Sequence, residues 1–340
     1  MLTTVSGGQP LQLKDLGEFK LIELIRERVP DAAGVRRGIG DDAAVLTLPT
    51  GHSLLTSTDM LIEGVHFQHA WTPAEDLGHK VVAVNLSDIA AMGGVPRYLF
   101  LGLACPGTTA VDQIEAFLKG VLDEAAAHQV CLVGGDTCQS SHGWLISVTI
   151  EGTVAEGREV SRSGARGNDL IMVSGTLGDS ALALQLLQKG QSPPADLRHR
   201  HNRPSPRVAL GRRLAEQGLV TAMIDISDGL AGDLQHILKA SRVDGLVETS
   251  QLPLSGVFRA SLAQDPALLE LALFGGEDYE LLFTVPEEHV AAVMAQGDAL
   301  ALPVTCIGTA QPGAGQLLLR DETGELQSVS DRGYDHFCRP

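Results

Sequence analysis

Apolar residues recur along the first half of the chain at two spacings, one typical of helices and one typical of strands. The helical spacing predicts helices over residues 17–29, 72–92 and 110–128. Shorter apolar runs predict strands over residues 44–49, 53–58, 97–105, 130–133 and 144–154. We expect the first two strands to pair through the turn Pro49-Thr50-Gly51. Residues 1–156 should therefore form one domain in which strands and helices alternate.

A polar, basic and glycine-rich segment, residues 157–168, follows this first domain and places a domain boundary there. The second domain, residues 157–340, repeats the alternation, with strands predicted at 170–174 and 281–285 and helices at about 179–189 and 208–216. Residues 191–206 are rich in proline and arginine and are predicted to form a surface loop. A length of 340 residues suits two domains, each with its own core.

Short oxygen-bearing side chains follow the apolar runs repeatedly. The clearest stretch is Asp225-Ile226-Ser227-Asp228-Gly229-Leu230, after which a helical pattern begins. Such a turn is either an Asp/Ser helix cap or a set of ligands for a hard cation such as Mg²⁺. Because similar turns end with Asp42, Asp59, Asp88, Asp136 and Asp278, we expect carboxylates to converge on one site. Asp88 shares a helix face with Asn85, and that pair could also be satisfied by hydrogen bonds alone.

Charge and composition narrow the class of protein. The formal net charge of −17 disfavours nonspecific binding to nucleic acid or to an anionic membrane. The N-terminal residues have no signal-peptide pattern, and no apolar run approaches about 18 residues, the length of a membrane span. Five cysteines without a CxxC pair indicate reduced thiols. The chain is therefore expected to be a cytoplasmic protein without a zinc site.

Several nucleotide-binding and hydrolytic motifs are absent or out of context. Residues 38–43 match G-x-G-x-x-A, with Asp59 about 20 residues later, but a strand rather than a helix is predicted to follow them. No lysine follows a glycine, which excludes a P-loop, and neither the kinase HRD/DFG pair nor G-x-S-x-G nor HExxH occurs. Many carboxylates and glycine turns with few basic residues fit phosphoryl transfer in which metal ions supply the positive charge.

Eight motifs in order make the sequence similar to a known family. They are Gly38-Ile39-Gly40-Asp41-Asp42-Ala43, Ser57-Thr58-Asp59, Asn85-Leu86-Ser87-Asp88, Gly134-Gly135-Asp136-Thr137, Ser161-Arg162-Ser163-Gly164, Asp225-Ile226-Ser227-Asp228-Gly229-Leu230, Gly275-Gly276-Glu277-Asp278-Tyr279-Glu280 and Gly333-Tyr334-Asp335-His336-Phe337. This set resembles the thiamine-monophosphate kinase family of the aminoimidazole ribonucleotide synthetase superfamily. The resemblance implies an α/β fold of α+β type. Its N-terminal domain would be a mixed sheet with helices that dimerises through the sheet, and its C-terminal domain an α/β sandwich.

The resemblance also implies an activity and a set of site residues. The family transfers the γ-phosphoryl group of ATP to thiamine phosphate with several Mg²⁺ ions and needs no general base. By position, the implied Mg²⁺ ligands are Asp42, Ser57, Thr58, Asp59, Asp88, Asp136, Asp225 and Asp228. The residues expected along ATP are Gly135, Asp136, Arg162 and Ser227, and those expected at thiamine phosphate are His66, Glu277 and Tyr334.

The sequence leaves two kinds of alternative open. Within the superfamily, a ring-closing synthetase is harder to exclude than selenophosphate synthetase or the hydrogenase-maturation dehydratase. Those last two would need a reactive N-terminal Cys or Lys, or an accessible terminal cysteine, whereas this chain ends Phe337-Cys338-Arg339-Pro340. Outside it, a noncatalytic protein could bind a nucleotide or thiamine phosphate, but the retention of all six aspartates speaks against that reading.

Overall fold

The computed structural model describes residues 11–40 and 43–329. The chain divides into two compact units: unit one comprises residues 1–89 and 95–156, and unit two comprises residues 90–94 and 157–340. Asp42 and Tyr334, two of the expected site residues, lie outside the described residues. Among the described helices, none has the length and apolar character needed to cross a bilayer.

Unit one is built on a mixed four-stranded sheet. The first half of the chain contributes, in order, α1 (Leu13–Leu16), α2 (Glu18–Arg28), β1 (Val35–Arg37), β2 (Val45–Leu46), β3 (His52–Ile62), α3 (Ala74–Ala91), β4 (Val95–Cys105), α4 (Val111–Ala127), β5 (Cys131–Gln139) and β6 (Leu145–Ala155). The sheet order is β3-β6-β4-β5, with β4 and β5 parallel and the other neighbours antiparallel. The strand β3 therefore lies at an edge, where side chains alternate between a more buried and a more exposed face.

Unit two is a seven-stranded sheet with helices on both faces. Its elements are β7 (Leu170–Ser174), α5 (Asp179–Gln188), α6 (Ala195–Asn202), α7 (Val208–Gln217), β8 (Ala222–Asp225), α8 (Leu230–Ser241), β9 (Val243–Glu248), α9 (Gly256–Leu262), α10 (Leu269–Phe274), β10 (Leu281–Val285), α11 (Val290–Ala299), β11 (Val304–Pro312), β12 (Leu317–Arg320) and β13 (Leu326–Val329). The order is β13-β12-β9-β11-β7-β10-β8, and only β9 and β12 are parallel neighbours.

Successive residues of the central strands of unit two enter two different cores. Ile171 and Val173 pack in one core with residues of α5 and α8, whereas Met172 packs in the other with residues of α7 and α11. A strand that is covered on both faces has a continuous apolar run in its sequence, and such runs predict strands. The mixed sheet of unit one and the α/β sandwich of unit two confirm the expected fold class.

Two strand predictions in unit one need correction. Strand β2 pairs with β1 and not with β3, because β3 forms an eleven-residue antiparallel ladder with β6 that a two-residue strand could not supply. The Gly134-Gly135-Asp136-Thr137 segment was predicted to follow a strand, but β5 continues through it to Gln139. The glycines fit within the strand because a side chain on Gly134 would press on the ring of Phe100.

The predicted surface loop over residues 191–206 is also wrong in part. It contains the helix α6, and Leu197, His201 and Asn202 of that helix are buried. With Leu197 as the only strongly apolar residue in α6, its sequence carries no amphipathic pattern that would have predicted a packed helix.

Candidate active site

In unit one, a strand and a helix bring a hydroxyl and a carboxylate into contact. Ser57 lies in the middle of β3, and its Oγ donates a hydrogen bond of 2.5 Å to Oδ2 of Asp88 in α3. Asp59 is two residues further along β3 and so faces the same side of the sheet as Ser57. Three of the expected oxygen ligands therefore share one side of this sheet.

The side chain of Thr58 lies on the other side of that sheet. Its Oγ1 donates to the carbonyl oxygen of Val148 at 3.0 Å and is also 3.0 Å from Oγ1 of Thr149, both residues of β6. The hydroxyls of Ser57 and Thr58 therefore point apart, as neighbours in a strand must. Only the main chain of Thr58 is available to the side that holds Asp88.

The glycine pair of β5 leaves its backbone open to close approach. Gly135 has φ 155°, and a Cβ there would collide with the carbonyl oxygen of Leu101. Asp136 is exposed, and its Oδ1 accepts a hydrogen bond of 3.0 Å from the N–H of Thr137. Exposed main chain beside a carboxylate suits a phosphate that arrives together with a cation.

His66 lies in the turn after β3, and its ring is held by the backbone. The N–H of Ile62 donates to Nδ1 of His66 at 3.0 Å, so Nδ1 carries the lone pair. In the neutral ring the proton then resides on Nε2, which can donate to an anionic oxygen. Next to this turn, burial lowers the pKa of His69, against an opposing effect of the Glu63 carboxylate.

In unit two, the strand β8 ends at Asp225, and the helix α8 begins at Leu230. Asp225 is 4 % exposed. The helix-cap position is taken by Gly229, and no side chain caps the helix from that position. The interpretation of this stretch as an Asp/Ser helix cap is therefore wrong for this helix.

The turn between β8 and α8 is organised by a residue further along the helix. Oδ2 of Asp233 accepts hydrogen bonds of 3.1 Å from the N–H groups of Ser227, Asp228 and Gly229. Burial raises the pKa of Asp233 to about 8, with further contributions from the charges of Asp225 and Asp228. Three carboxylates are thus close enough to repel one another, which is the electrostatic setting that a bound cation relieves.

The Gly275–Glu280 turn rests against the same stretch. The N–H groups of Glu277 and Tyr279 donate to the carbonyl oxygens of Ser227 and Ile226, each at 2.8 Å. Glu277 and Tyr279 have φ values of 69° and 50°, a backbone region that costs non-glycine residues on the order of 1 kcal/mol each. The turn is therefore strained and is held by its surroundings, which places Glu277 beside Ser227.

Buried charges hold the end of this turn. Glu280 is fully buried, and its carboxylate accepts from Arg200 at 2.8 Å, from Nε of Arg207 at 2.6 Å and from Ser174 at 2.7 Å. Oδ2 of the neighbouring Asp278 accepts from the N–H of Gly178 at 2.8 Å, and burial raises the pKa of Asp278 to about 8.

Arg162 lies close to the β8 end of unit two. The carbonyl oxygen of the preceding Ser161 accepts a hydrogen bond of 3.0 Å from the N–H of Met223 in β8. The side chain of Arg162 is exposed and can therefore reach a phosphate as a planar fork. One residue of β8, Ile224, separates Met223 from Asp225.

Comparison with known proteins matches two successive parts of the chain to two domain families. The N-terminal domain of AIR synthase related proteins matches residues 40–154, and the C-terminal domain of those proteins matches residues 166–318. Thiamine-monophosphate kinase of Escherichia coli (strain K12) is 41 % identical over 95 % of this chain and 99 % of its own length. The chain belongs to the thiamine-monophosphate kinase family. It is accordingly a kinase.

Solved structures of the thiamine-monophosphate kinase family have the same fold. The crystal structure of the enzyme from Stenotrophomonas maltophilia K279a has a TM-score of 0.81 and 40 % identity, covering 91 % of this chain and 97 % of that one. AaThiL, complexed with AMPPCP and TMP, has a TM-score of 0.75 and 34 % identity, covering 96 % of this chain and 99 % of its own.

The oxygen-bearing residues of the family motifs are chemically suited to bind a hard cation. Carboxylate, hydroxyl and carbonyl oxygens are the ligands that Mg²⁺ prefers. Within residues 11–40 and 43–329, no group of three His, Cys, Asp or Glu side chains is arranged to hold a metal ion by itself. Asp42 lies outside those residues, and phosphate oxygens commonly complete a Mg²⁺ shell together with one or two carboxylates.

Sequence reasoning missed the residues that support the site in this member of the family. Asp233, His201, Arg200 and Arg207 each hold a motif residue or its backbone in place. A weak signal existed for Asp233, since an acidic residue in the first turn of a helix is well placed to meet N–H groups before it. No comparable local signal exists for the others, because their contacts join residues 73 to 80 positions apart.

Proposed function

We propose that this chain transfers the γ-phosphoryl group of ATP to thiamine phosphate and releases thiamine diphosphate and ADP. The main support is that a relative 34 % identical along 96 % of the chain is complexed with AMPPCP, an analogue of ATP, and with TMP. The motif residues described in both units are of the types that such a reaction needs.

The carboxylates of both units would hold several Mg²⁺ ions. We assign Asp42, Asp59, Asp88, Asp136, Asp225 and Asp228 as ligands, with Ser57 contributing its hydroxyl and Thr58 its main-chain oxygen. Bound Mg²⁺ would neutralise phosphate charge and so stabilise the transferring group. The protein would hold these oxygens in place before the substrates bind, as the hydrogen bonds to Asp233 hold the turn at Ser227–Gly229.

The two substrates would use different residues. Gly135, Asp136, Arg162 and Ser227 are assigned to ATP. At the acceptor, Nε2–H of His66 would donate to the phosphate of thiamine phosphate, and the Glu277 carboxylate would face its cationic ring together with Tyr334.

The reaction would need positioning rather than a general base. The attacking atom is a phosphate oxygen that is already anionic, so no proton has to be removed from it. An in-line transfer between two bound phosphates depends on holding the attacking oxygen opposite the leaving oxygen. The hydrogen-bonded turns of unit two are suited to that task.

We also propose that the protein works as a cytoplasmic homodimer that pairs through the sheet of unit one. Leu54, Met60 and Ile62 share one face of the edge strand β3 and are 43 %, 51 % and 37 % exposed, and a row of exposed apolar side chains is typical of an interaction surface. Cys105, Cys131, Cys138 and Cys306 are free, as expected of a reducing compartment. Light scattering of the wild type beside Met60→Glu would test the dimer, which the added charges should dissociate.

The activity is tested directly. Purified protein is mixed with ATP, Mg²⁺ and thiamine phosphate, and thiamine diphosphate is followed by chromatography with free thiamine as a parallel acceptor. Product from thiamine phosphate alone supports the proposed kinase. Silence with both acceptors would contradict it and would favour a ring-closing or binding-only protein that uses the same motifs.

A further inference from the structure

The helix α6 is polar in sequence but tightly packed in unit two. Its last two residues, His201 and Asn202, are each 2 % exposed, whereas His199 of the same helix is exposed. Burying a histidine is unfavourable unless its ring nitrogens find partners. The contacts of His201 therefore indicate what this helix does.

His201 touches the carboxylate that we assign to the acceptor. Its Nδ1 is 3.3 Å from Oε2 of Glu277 and 3.0 Å from Oγ of Ser180 in α5. A proton on Nδ1 allows the ring to donate to the carboxylate, while Ser180 restricts the rotation of the ring. The Glu277 side chain is 23 % exposed, so it contacts His201 on one side and is open to solvent on another.

The backbone that carries Glu277 is held by the same segment of chain. Arg200 of α6 donates to the carbonyl oxygen of Asp278 at 3.2 Å and to the carboxylate of Glu280 at 2.8 Å. Arg207, five residues after α6, forks onto both oxygens of Glu280 at 2.6 and 2.5 Å. The residues that follow Glu277 in the turn are therefore fixed through residues 200–207.

We propose that α6 is part of the acceptor site and that His201 is a positioning residue that orients the Glu277 carboxylate toward the cationic ring of thiamine phosphate. This inference rests on the proposed function. A carboxylate with a fixed direction binds a cation more tightly than a freely rotating one, because less side-chain freedom is lost on binding. His201 thus contributes to the choice of a cationic acceptor without touching it.

The test replaces the imidazole and keeps the helix. We expect His201→Leu to raise the KM for thiamine phosphate about tenfold, as for the loss of one charge-assisted hydrogen bond, with kcat and the KM for ATP within about twofold of wild type. His201→Asn, whose amide can donate from nearly the position of Nδ1, should recover most of the affinity. His199→Leu makes the same substitution at an exposed position of the same helix and should leave both KM values unchanged.

A double-mutant cycle separates positioning from simple packing. If His201 acts through Glu277, then His201→Leu should have little further effect on thiamine phosphate binding in a Glu277→Gln background, measured by calorimetry as well as by rate. Independent effects of the two changes, or a His201→Leu enzyme with a normal KM, would overturn the inference while leaving the kinase activity of the wild type intact. A wild type that neither binds nor phosphorylates thiamine phosphate would instead overturn the proposed function, and this inference with it.

Discussion

The candidate ligands of unit one lie on regular elements, whereas those of unit two lie on turns. Ser57 and Asp59 take their directions from the alternation of β3, and Asp88 takes its direction from the helix α3. Asp228 and Glu277 instead lie in turns whose shape depends on Asp233, Glu280 and their partners. Regular backbone geometry thus positions the candidate ligands of unit one, and buried acidic side chains position those of unit two.

This difference decides where the site is vulnerable. A strand or helix keeps its side-chain directions through many equivalent hydrogen bonds, so the loss of one contact changes them little. A strained turn keeps its shape only while its few anchors remain, and the anchors here are buried acidic side chains that are costly to leave without their partners. Loss of an anchor of these turns should therefore disturb function and stability together.

The largest expected effect tests a ligand of unit two. We expect Asp228→Asn to lower kcat by about 100- to 1000-fold, because a lost metal-ligand charge costs several kcal/mol in the barrier. The backbone N–H of Asp228 can still bond to Asp233, so circular dichroism and the melting temperature should stay near wild type. Near-normal turnover in a steady-state assay would remove Asp228 from the metal site.

The second-largest expected effect concerns Arg207, which anchors the Gly275–Glu280 turn through Glu280. Arg207→Met removes two hydrogen bonds from the fully buried Glu280 and should lower the free energy of unfolding by about 3 kcal/mol, as measured by urea denaturation. Arg212→Met breaks the exposed pair with Glu216, whose side chains are 50 % and 53 % exposed, and should cost only about 0.3–0.5 kcal/mol. Equal losses in the two variants would show that the buried network does not hold unit two.

Unit one has its own buried charge, away from the candidate ligands. Burial alone would raise the pKa of Glu124, but hydrogen bonds and charge from His128 and His79 lower it to about 2. A carboxyl with a depressed folded-state pKa stabilises the protein above its unfolded pKa of 4.5 and loses that effect as the pH falls toward 2. We expect Glu124→Gln to cost about 2 kcal/mol at pH 7 and to flatten the stability profile between pH 4.5 and 2.

The control for that profile is the adjacent Asp123, which is exposed and pairs with Lys119 on the helix surface. Asp123→Asn should leave the acid limb of the profile almost unchanged, since an exposed pair contributes little. Unfolding monitored by fluorescence from pH 2 to pH 8 distinguishes the two variants. If the Glu124→Gln profile runs parallel to that of the wild type, the pairing of Glu124 with His79 and His128 is not a source of stability.

The sequence predicted the regular half of the molecule better than the turns. Apolar periodicity located α3, β4, α4 and β10 closely, because packing against a core imposes that periodicity. It failed for α6, whose burial depends on contacts from Ser180, Asp278 and Glu280 rather than on an apolar face. It also ended β5 too early, because glycine is usually a turn residue and only the neighbouring Phe100 and Leu101 explain its use in a strand.

The smallest expected effect tests a distinction that the sequence could not make. Ser57 and Thr58 are adjacent and chemically alike, and both were expected to supply oxygens. In the structure the Ser57 hydroxyl is hydrogen-bonded to Asp88. The Thr58 hydroxyl is instead hydrogen-bonded to Val148 and Thr149 on the opposite side of the sheet. We expect Ser57→Ala to lower kcat/KM for ATP about tenfold, from a lost bond to a charged group worth roughly 1.5 kcal/mol.

Thr58→Val is the matched change on the other face. Valine keeps the shape, the strand propensity and the main-chain oxygen of Thr58, so activity should stay within about twofold of wild type. Rates measured across a range of Mg²⁺ concentrations separate the two positions, since only Ser57→Ala should need more Mg²⁺ for half-maximal activity. Equal sensitivity of the two variants would mean that the hydroxyl of Thr58, and not only its main chain, serves the site, and regular strand geometry would then be insufficient to explain unit one.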